Sequence, residues 1–427
     1  MNSKTLAVGL IIFGLFIVAL ITRNGDIAWM MLPFLCYLGA GILQTPVLEK
    51  VHLVAMRTLE QNQSNGIASV DVTLTIQNQA SETICLFIDE KIQTGMKIAG
   101  GELCRWVTLR SREHAELKYT FNAVRGNFSW KNIRTVLGDP LGLIETEMLL
   151  PVSAGIQIRP QIKKFKTISF RPNSTLHSPG SIPSRLGGSG TNFFGVREYH
   201  SGDSLRRLDW RLTARHPRKF FTKEFEQEEI AEIGLLLDAR QNSELKIGEE
   251  SLFEACVGAT ASLAEMFLHQ GHRVGLLVVG QTMLNTFPGY GKTQLHRIMG
   301  CLSKAKIEKE NHSFVSLDFS PIRIFPSQAL VIVIGSITSA DWPLFLRLRA
   351  YGYQVLLISP DPIDFASSTL AQDATNCLAI RAACLERRLR LNDITHLKIP
   401  VIDWRVSQPL FPLIRNALTR SRGQRER

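Results

Sequence analysis

Two apolar runs stand back to back at the start of the chain, residues 5–21 and 27–43. Each lies near the lower end of the ~17–25 residues that cross a bilayer. Only Thr22, Arg23, Asn24, Gly25 and Asp26 separate them. The pair reads as a transmembrane helical hairpin over residues 1–46. A cleaved signal peptide is the competing reading of the first run, but no A-x-A-like site lies near Thr22 and a second apolar run follows at once. A hairpin returns both ends to one side. Lys4 before it, and Lys50, His52 and Arg57 after it, place that side in the cytoplasm.

Beyond the hairpin the apolar spacing changes twice. From residue 51 to about 160 its period is two. Val70, Val72, Leu74 and Ile76 alternate with polar residues, and residues 84–88, 106–109 and 116–121 form further short runs between Gly-containing or polar breaks. This predicts an all-β antiparallel sandwich over residues 47–162. From Glu232 onward short apolar runs (233–237, 273–279, 329–334, 353–358) alternate with helical spacing. That alternation predicts an α/β domain over residues 231–427. Between the two lies RPNSTLHSPGSIPSRLGGSG, rich in Ser, Pro and Gly, which reads as a flexible connector. It opens a 163–230 segment that ends in a densely charged stretch.

That stretch is GVREYHSGDSLRRLDWRLTARHPRKFFTKEFEQEE, residues 195–229. Basic and acidic residues alternate in it around Tyr199, Trp210 and Phe221. A disordered segment lacks such aromatics, and a core helix lacks such charge. The mixture implies a folded stretch with partly buried ion pairs, for which arginine is well suited. The run G-V-R-E-Y, then G-D, R-R-L-D-W, A-R and K-E-F-E resembles the signature of the bacterial domain of unknown function 58 family. Arg125-Gly126 and the DPLGL run at 139–143 look like further elements of it. The resemblance marks Arg197, Tyr199, Gly202, Asp203, Arg206, Arg207, Asp209, Trp210, Arg215, Lys223 and Glu224 as signature residues. It implies a von Willebrand factor A-like fold, Rossmann-like in class, for the C-terminal domain. It also implies a protein of the bacterial cytoplasmic (inner) membrane working with a MoxR-type AAA+ ATPase.

Within the signature, bracing by ion pairs and docking of a partner are both open. Asp209 and Trp210 lean towards bracing.

A von Willebrand factor A-like domain often holds Mg²⁺ through D-x-S-x-S after its first strand, an oxygen set suited to a hard cation. Here the residues are Asp238, Ala239, Arg240, Gln241 and Asn242. Arg240 puts a cation where a ligand is needed, and Asn242 offers only an amide oxygen. Residues 335–338 lack the expected acid, and Asp341 comes later. The expectation is a degenerate site with no metal, in which Asp238 pairs with Arg240 or with an arginine of the signature.

Other apparent motifs dissolve on inspection. The G-K-T at Gly291, Lys292 and Thr293 lacks the glycine that a phosphate loop needs five positions earlier. His200, Asp203 and Ser204 crowd into one turn with no nucleophile elbow. Seven scattered cysteines contain no Cys-x-x-Cys pair. The formal charge of +11 is spread along the chain, which disfavours nucleic acid as a partner and suits proximity to an anionic leaflet. The function expected is that of a non-enzymatic, membrane-anchored adaptor in protein maturation or envelope stress, with no cofactor. A metal-dependent adhesion-type protein and a hydrolase are the alternatives.

Overall fold

The computed structural model describes residues 3–23, 25–44, 51–64, 67–138, 143, 145–168, 176–216, 218–248, 250–280, 283–307, 324–367 and 373–423. The chain divides into two compact units, Met1–Ile158 and Arg159–Arg427.

In the first unit, helix α1 (Ser3–Thr22) is one continuous apolar rod, long and apolar enough to span a membrane. At 1.5 Å per residue its twenty residues measure about 30 Å, the thickness of a hydrocarbon core. The second apolar run is not continuous. It forms α2 (Gly25–Trp29) and α3 (Leu32–Gln44), with a break at Met30 and Met31. Pro33 explains the break: it has no N–H to give the preceding turn and its ring clashes with that turn's carbonyl, whereas the first turn of α3, where it sits, tolerates both. Thus one helix of spanning length stands where two were expected.

The rest of the unit is two four-stranded antiparallel sheets, β1-β2-β6-β4 and β5-β3-β7-β8. The strands are β1 (Leu53–Ser64), β2 (Ile67–Asn78), β3 (Ile84–Asp89), β4 (Lys97–Gly101), β5 (Cys104–Leu109), β6 (His114–Ala123), β7 (Gly126–Gly138) and β8 (Glu145–Ile158). The alternation in β2 is the reason for the layer: Val70, Val72, Leu74 and Ile76 point inward and are fully buried. They share clusters with Ile84, Leu86 and Ile88 of the other sheet and with Phe121, Phe128 and Trp130. A buried ion pair crosses this interior. Arg57 donates to Glu90 at 2.5 Å and lies 5.1 Å from the Trp130 ring centre. Arg57 is therefore an internal residue and not a free positive charge after the hairpin. Residues 139–142 of the DPLGL run lie outside the described residues; Leu143 is buried.

The second unit begins with a long hairpin, β9 (Leu176–Glu198) against β10 (Phe221–Ile230). The Ser/Pro/Gly-rich segment expected to be a flexible connector supplies much of β9, as far as it lies within the described residues. Its pairing is interrupted by register shifts after Glu224, Glu226 and Glu228, as its glycines and prolines require. β10 runs through Ala231 straight into β11 (Glu232–Asp238), the inner strand of a six-stranded sheet of order β15-β14-β11-β16-β17-β18. Its partners are β14 (Arg273–Val279), β15 (Leu284–Gly289), β16 (Leu330–Ile334), β17 (Gln354–Pro360) and β18 (Val401–Trp404). All neighbours are parallel except β14 and β15. A two-residue ribbon, β12 (Lys246–Ile247) with β13 (Glu250–Ser251), precedes the first covering helix.

That helix is α5 (Leu252–His269); the hairpin tip before it carries α4 (Trp210–Arg215). With α6 (Gly291–Lys304) and α10 (Leu410–Gly423), α5 covers one face of the sheet, where Ile233, Leu235 and Leu237 are buried. On the other face, α7 (Trp342–Ala350) and α9 (Ala374–His396) pack over Leu236, Val331, Val333 and Leu357. α8 (Pro362–Ser367) caps β17. The closing strand, β18, begins at Val401.

Gly234 sits in the middle of β11, where a Cβ would lie 2.7 Å from the ring of the buried Phe325. Gly234→Ala is expected to cost about 1–3 kcal/mol through overpacking. Thermal melting checks this; an unchanged midpoint would contradict the packing described.

Candidate functional site

Parallel sheets with helices on both faces bind ligands beyond the carboxyl ends of their strands, where successive connections leave in opposite directions. In this sheet that point lies between β11 and β16, because the chain leaves β11 towards β14 and returns to its other side at β16. Asp238 ends β11 there and is 1% exposed. The loop from Gly335 to Asp341 follows β16.

Arg240 fills the space between the two loops. Its Nε and Nη2 donate to Asp238 Oδ1 and Oδ2 at 2.8 and 3.0 Å. Its Nη1 and Nη2 donate to Asp341 Oδ1 and Oδ2 at 2.7 and 2.9 Å. Both carboxylates are thus gripped by one guanidinium, a geometry lysine cannot copy. The remaining lone pairs are also used. The Arg240 backbone N–H and the Ser243 hydroxyl donate to Asp238 at 3.1 and 3.0 Å. The Thr338 backbone N–H and hydroxyl donate to Asp341 at 2.8 and 3.0 Å. Gly335 is required beside this site: a Cβ there would stand 2.3 Å from that of Asp238.

Burial pushes the Asp238 carboxyl above its usual range, and the hydrogen bonds from Arg240 pull against that shift. Burial would likewise lower Arg240, but its bonds to Asp341 and Asp238 outweigh this and keep it charged. Two carboxylates and one guanidinium carry a formal charge of −1. A divalent cation does not fit this set. It would have to displace a side chain held by four hydrogen bonds and then share the space with that side chain's charge. Among the described residues no group of three or more His, Cys, Asp or Glu side chains could hold a metal ion. Asn242 lies apart, lining a neighbouring cavity of about 280 Å³ with Ser336, Thr338, Arg387 and Arg390.

Asp341 is the partner that sequence reasoning passed over. It had a local signal: Thr338 and Asp341 have the spacing of a capping box and form one in the structure.

The signature residues sit on the β9–β10 hairpin and the loop at its tip. Arg197 is the node. It grips Asp203 through Nη1 and Nη2 at 2.7 and 2.8 Å and donates through Nε to Glu224 at 2.7 Å. The hydrogen bonds from Arg197, with one from the His200 backbone N–H, hold the Asp203 carboxyl down to about 2 from 3.8. A depressed carboxyl of this kind adds stability above its unfolded value near 3.8, and the gain is lost as pH falls through about 2. Gly202 turns the chain at φ +109°, a conformation that suits glycine alone. Lys219 pairs with Glu198, and Tyr199 lies edge-on to Phe220.

Asp209 caps α4, accepting from the Arg211 and Leu212 backbone N–H groups at 3.1 and 3.0 Å. Arg207 lies over the Phe225 ring, and Lys223 is half-buried opposite Val196. Trp210, expected to brace the fold, is instead 65% exposed. Arg206 and Arg215 are exposed as well and make no ion pair among the described residues. The signature therefore does two things: Arg197, Asp203, Glu224 and Asp209 hold the tip in shape, and Trp210 with the outer arginines faces solvent.

The tip of this hairpin, β10 and five of the six strands of the sheet behind it match a known family model. Residues 195–366 fit the family described as "Protein of unknown function DUF58". The chain carries a DUF58 segment. A relative, "Uncharacterized protein YeaD" of Bacillus subtilis (strain 168), is 27% identical over 278 residues, which is 62% of this chain and 65% of that protein. This chain therefore spans a little under two thirds of the curated relative it matches. Among solved structures, a FixG-related protein from Vibrio parahaemolyticus is 14% identical, covers 24% of this chain and 95% of its own, and has a TM-score of 0.16. The Amycolatopsis orientalis exo-chitosanase CsxA is 10% identical over 83% of this chain and 32% of its own, with a TM-score of 0.18. At such scores neither carries a functional reading.

Two outcomes test the site. Arg240→Ala leaves two buried carboxylates without a counter-charge and is expected to cost about 3–5 kcal/mol. Unpaired burial raises a carboxyl's folded pKa, and stability held by a raised carboxyl is lost as pH rises. The deficit of Arg240→Ala, measured by urea unfolding, should therefore widen between about pH 5 and pH 7.5; a deficit independent of pH would contradict the assignment. In the hairpin tip, Asp209→Ala should cost about 1 kcal/mol through the lost cap, while Arg206→Ala leaves the melting midpoint in place.

Proposed function

We propose that this chain is a membrane-tethered adaptor without catalytic activity of its own, which couples a MoxR-type AAA+ ATPase to the maturation of other proteins. The observation that carries this reading is the tip of the DUF58 hairpin. Leu205, Trp210 and Phe220 are 66%, 65% and 59% exposed there. They stand in one loop with the exposed Arg206, Arg211, Arg215 and Arg218, which make no ion pair among the described residues. Tryptophan and arginine together are the anchors that protein interfaces favour. The Arg197 pairs behind them fix the loop before any partner arrives, which lowers the ordering cost of binding.

The six-stranded sheet is the von Willebrand factor A-like part of this proposal, with the ligand end closed by Arg240. Tethering rests on α1. The proposed second span is α2 and α3 together: residues 25–44, kinked at Met30–Met31, measure about 30 Å. The Thr5 hydroxyl donates to the Leu143 carbonyl at 3.0 Å. That bond supports a start of α1 on the same side as the β-sheets, in the bacterial cytoplasm at the inner membrane.

The test uses the full chain in nanodiscs with the purified MoxR-type ATPase of its host. Binding is expected, and Trp210→Ala should weaken it by about tenfold or more with no change in melting temperature. Absence of binding, or binding indifferent to Trp210, would refute the proposal.

A further inference from the structure

Helix α9 carries a face that no described residue covers. Residues 384–391 read in sequence as an amphipathic helix with a basic face, but the structure divides it differently. Ile394 is 2% exposed and Leu391 packs beside it. Arg387 is held inward, donating to the Ser359 carbonyl at 3.1 Å and to Asp403 at 2.7 Å. These contacts fix the helix's rotation. Turned outward are Leu378, Leu385 and Leu389, at 65%, 60% and 64% exposure, with the exposed Ala382 between them.

The outward spacing is 4, 3 and 4 residues, the seam of a two-stranded coiled coil. Assigning Leu378 and Leu385 to heptad position d puts Ala382 and Leu389 at a. The flanking positions then decide the partner. Position g holds Arg381 and Arg388; position e holds Glu386 and Asp393. In a parallel pair, g of one helix meets the e five residues on in the other. Arg381 thus faces Glu386 of a second copy, and Arg388 faces Asp393. In an antiparallel pair, g meets g and e meets e, so arginines would confront arginines and acids would confront acids. The charges select the parallel arrangement and reject the other. Within one chain these groups are scarcely committed. Glu386 has a single 3.6 Å contact, with Arg390, and Arg381, Arg388 and Asp393 make no ion pair among the described residues.

We propose that α9 is the interface with a second copy of this chain, a parallel, two-fold symmetric pairing through Leu378, Ala382, Leu385 and Leu389. A two-fold contact needs a self-complementary patch, and the alternation of g arginines with e acids provides one. The seam from residue 378 to 393 is about 24 Å long. Such a short seam gains from two copies confined to one membrane, which raises their effective concentration. The inference does not depend on the ATPase proposed above, because its test contains no other protein.

The full chain is reconstituted in vesicles with the exposed Cys36, Cys104, Cys377 and Cys384 replaced by serine. Mild oxidation of Leu385→Cys should give a disulfide-linked dimer, since equivalent d positions face each other across the two-fold axis. Cys384 restored alone, one residue off the seam, should not. Introducing Arg381→Glu beside Leu385→Cys should lower the cross-linked fraction about fivefold, because each dimer contains two such pairs. Adding Glu386→Arg to that variant should restore it. The proposal is overturned if Leu385→Cys fails to cross-link, if Cys384 cross-links equally well, or if the charge reversals change nothing. It is equally overturned if Leu378→Cys joins to Leu389→Cys in preference to itself, which would mean an antiparallel pair.

Discussion

One guanidinium, buried between the carboxylates of Asp238 and Asp341, closes the end of the sheet where a ligand would otherwise enter. Its effect is more than local. Asp238 lies 2 residues before Arg240 and Asp341 lies 101 residues after it, on loops leaving adjacent strands. Their shared counter-ion ties those loops together at the point where the chain changes direction. Replacing a mobile cation with a covalently attached one changes what the site can do. A metal ion with an open coordination position can take a carboxylate from a partner; a guanidinium whose donors are already spent on two internal acids has little left to offer. In the function proposed here recognition comes instead from the hairpin tip, where Trp210 and the outer arginines are exposed.

The hairpin repeats the same economy on a smaller scale. Arg197 joins the two strands and the tip loop through Asp203 and Glu224, all three side chains partly screened from solvent. A surface pair of this sort stabilises little by itself. Its value lies in geometry: together with the cap on α4 it gives the loop between residues 199 and 220 one shape. That shape leaves Trp210 standing in solvent. Continuity of β10 into β11 joins this hairpin directly to the inner strand of the sheet.

Much of this was readable before any coordinates. Period-two alternation marked β2, β3, β5 and β6, and buried apolar runs marked the parallel strands, because both patterns follow from which faces are covered. The mismatch between Arg240 and a cation site was visible in five consecutive residues. What escaped reading depended on contacts distant in sequence or on a single backbone effect. Asp341 looked misplaced until the 3-10 turn after Thr338 brought it to Arg240. Pro33 divides an apolar run that composition alone treats as uniform. Arg57 looked like a topology signal and is instead an internal partner of Glu90. The leucines of α9 were hidden among arginines, and only the inward anchoring of Arg387 and Ile394 shows which face is free.

Arg240 occupies the position a divalent ion would need, between Asp238 and Asp341. Calorimetric titration of the full chain with Mg²⁺ tests it most directly. No saturable binding is expected, with the parent and Asp238→Asn giving the same baseline. Saturable binding that disappears in Asp238→Asn would contradict it, because it would show that the arginine yields its place to the metal.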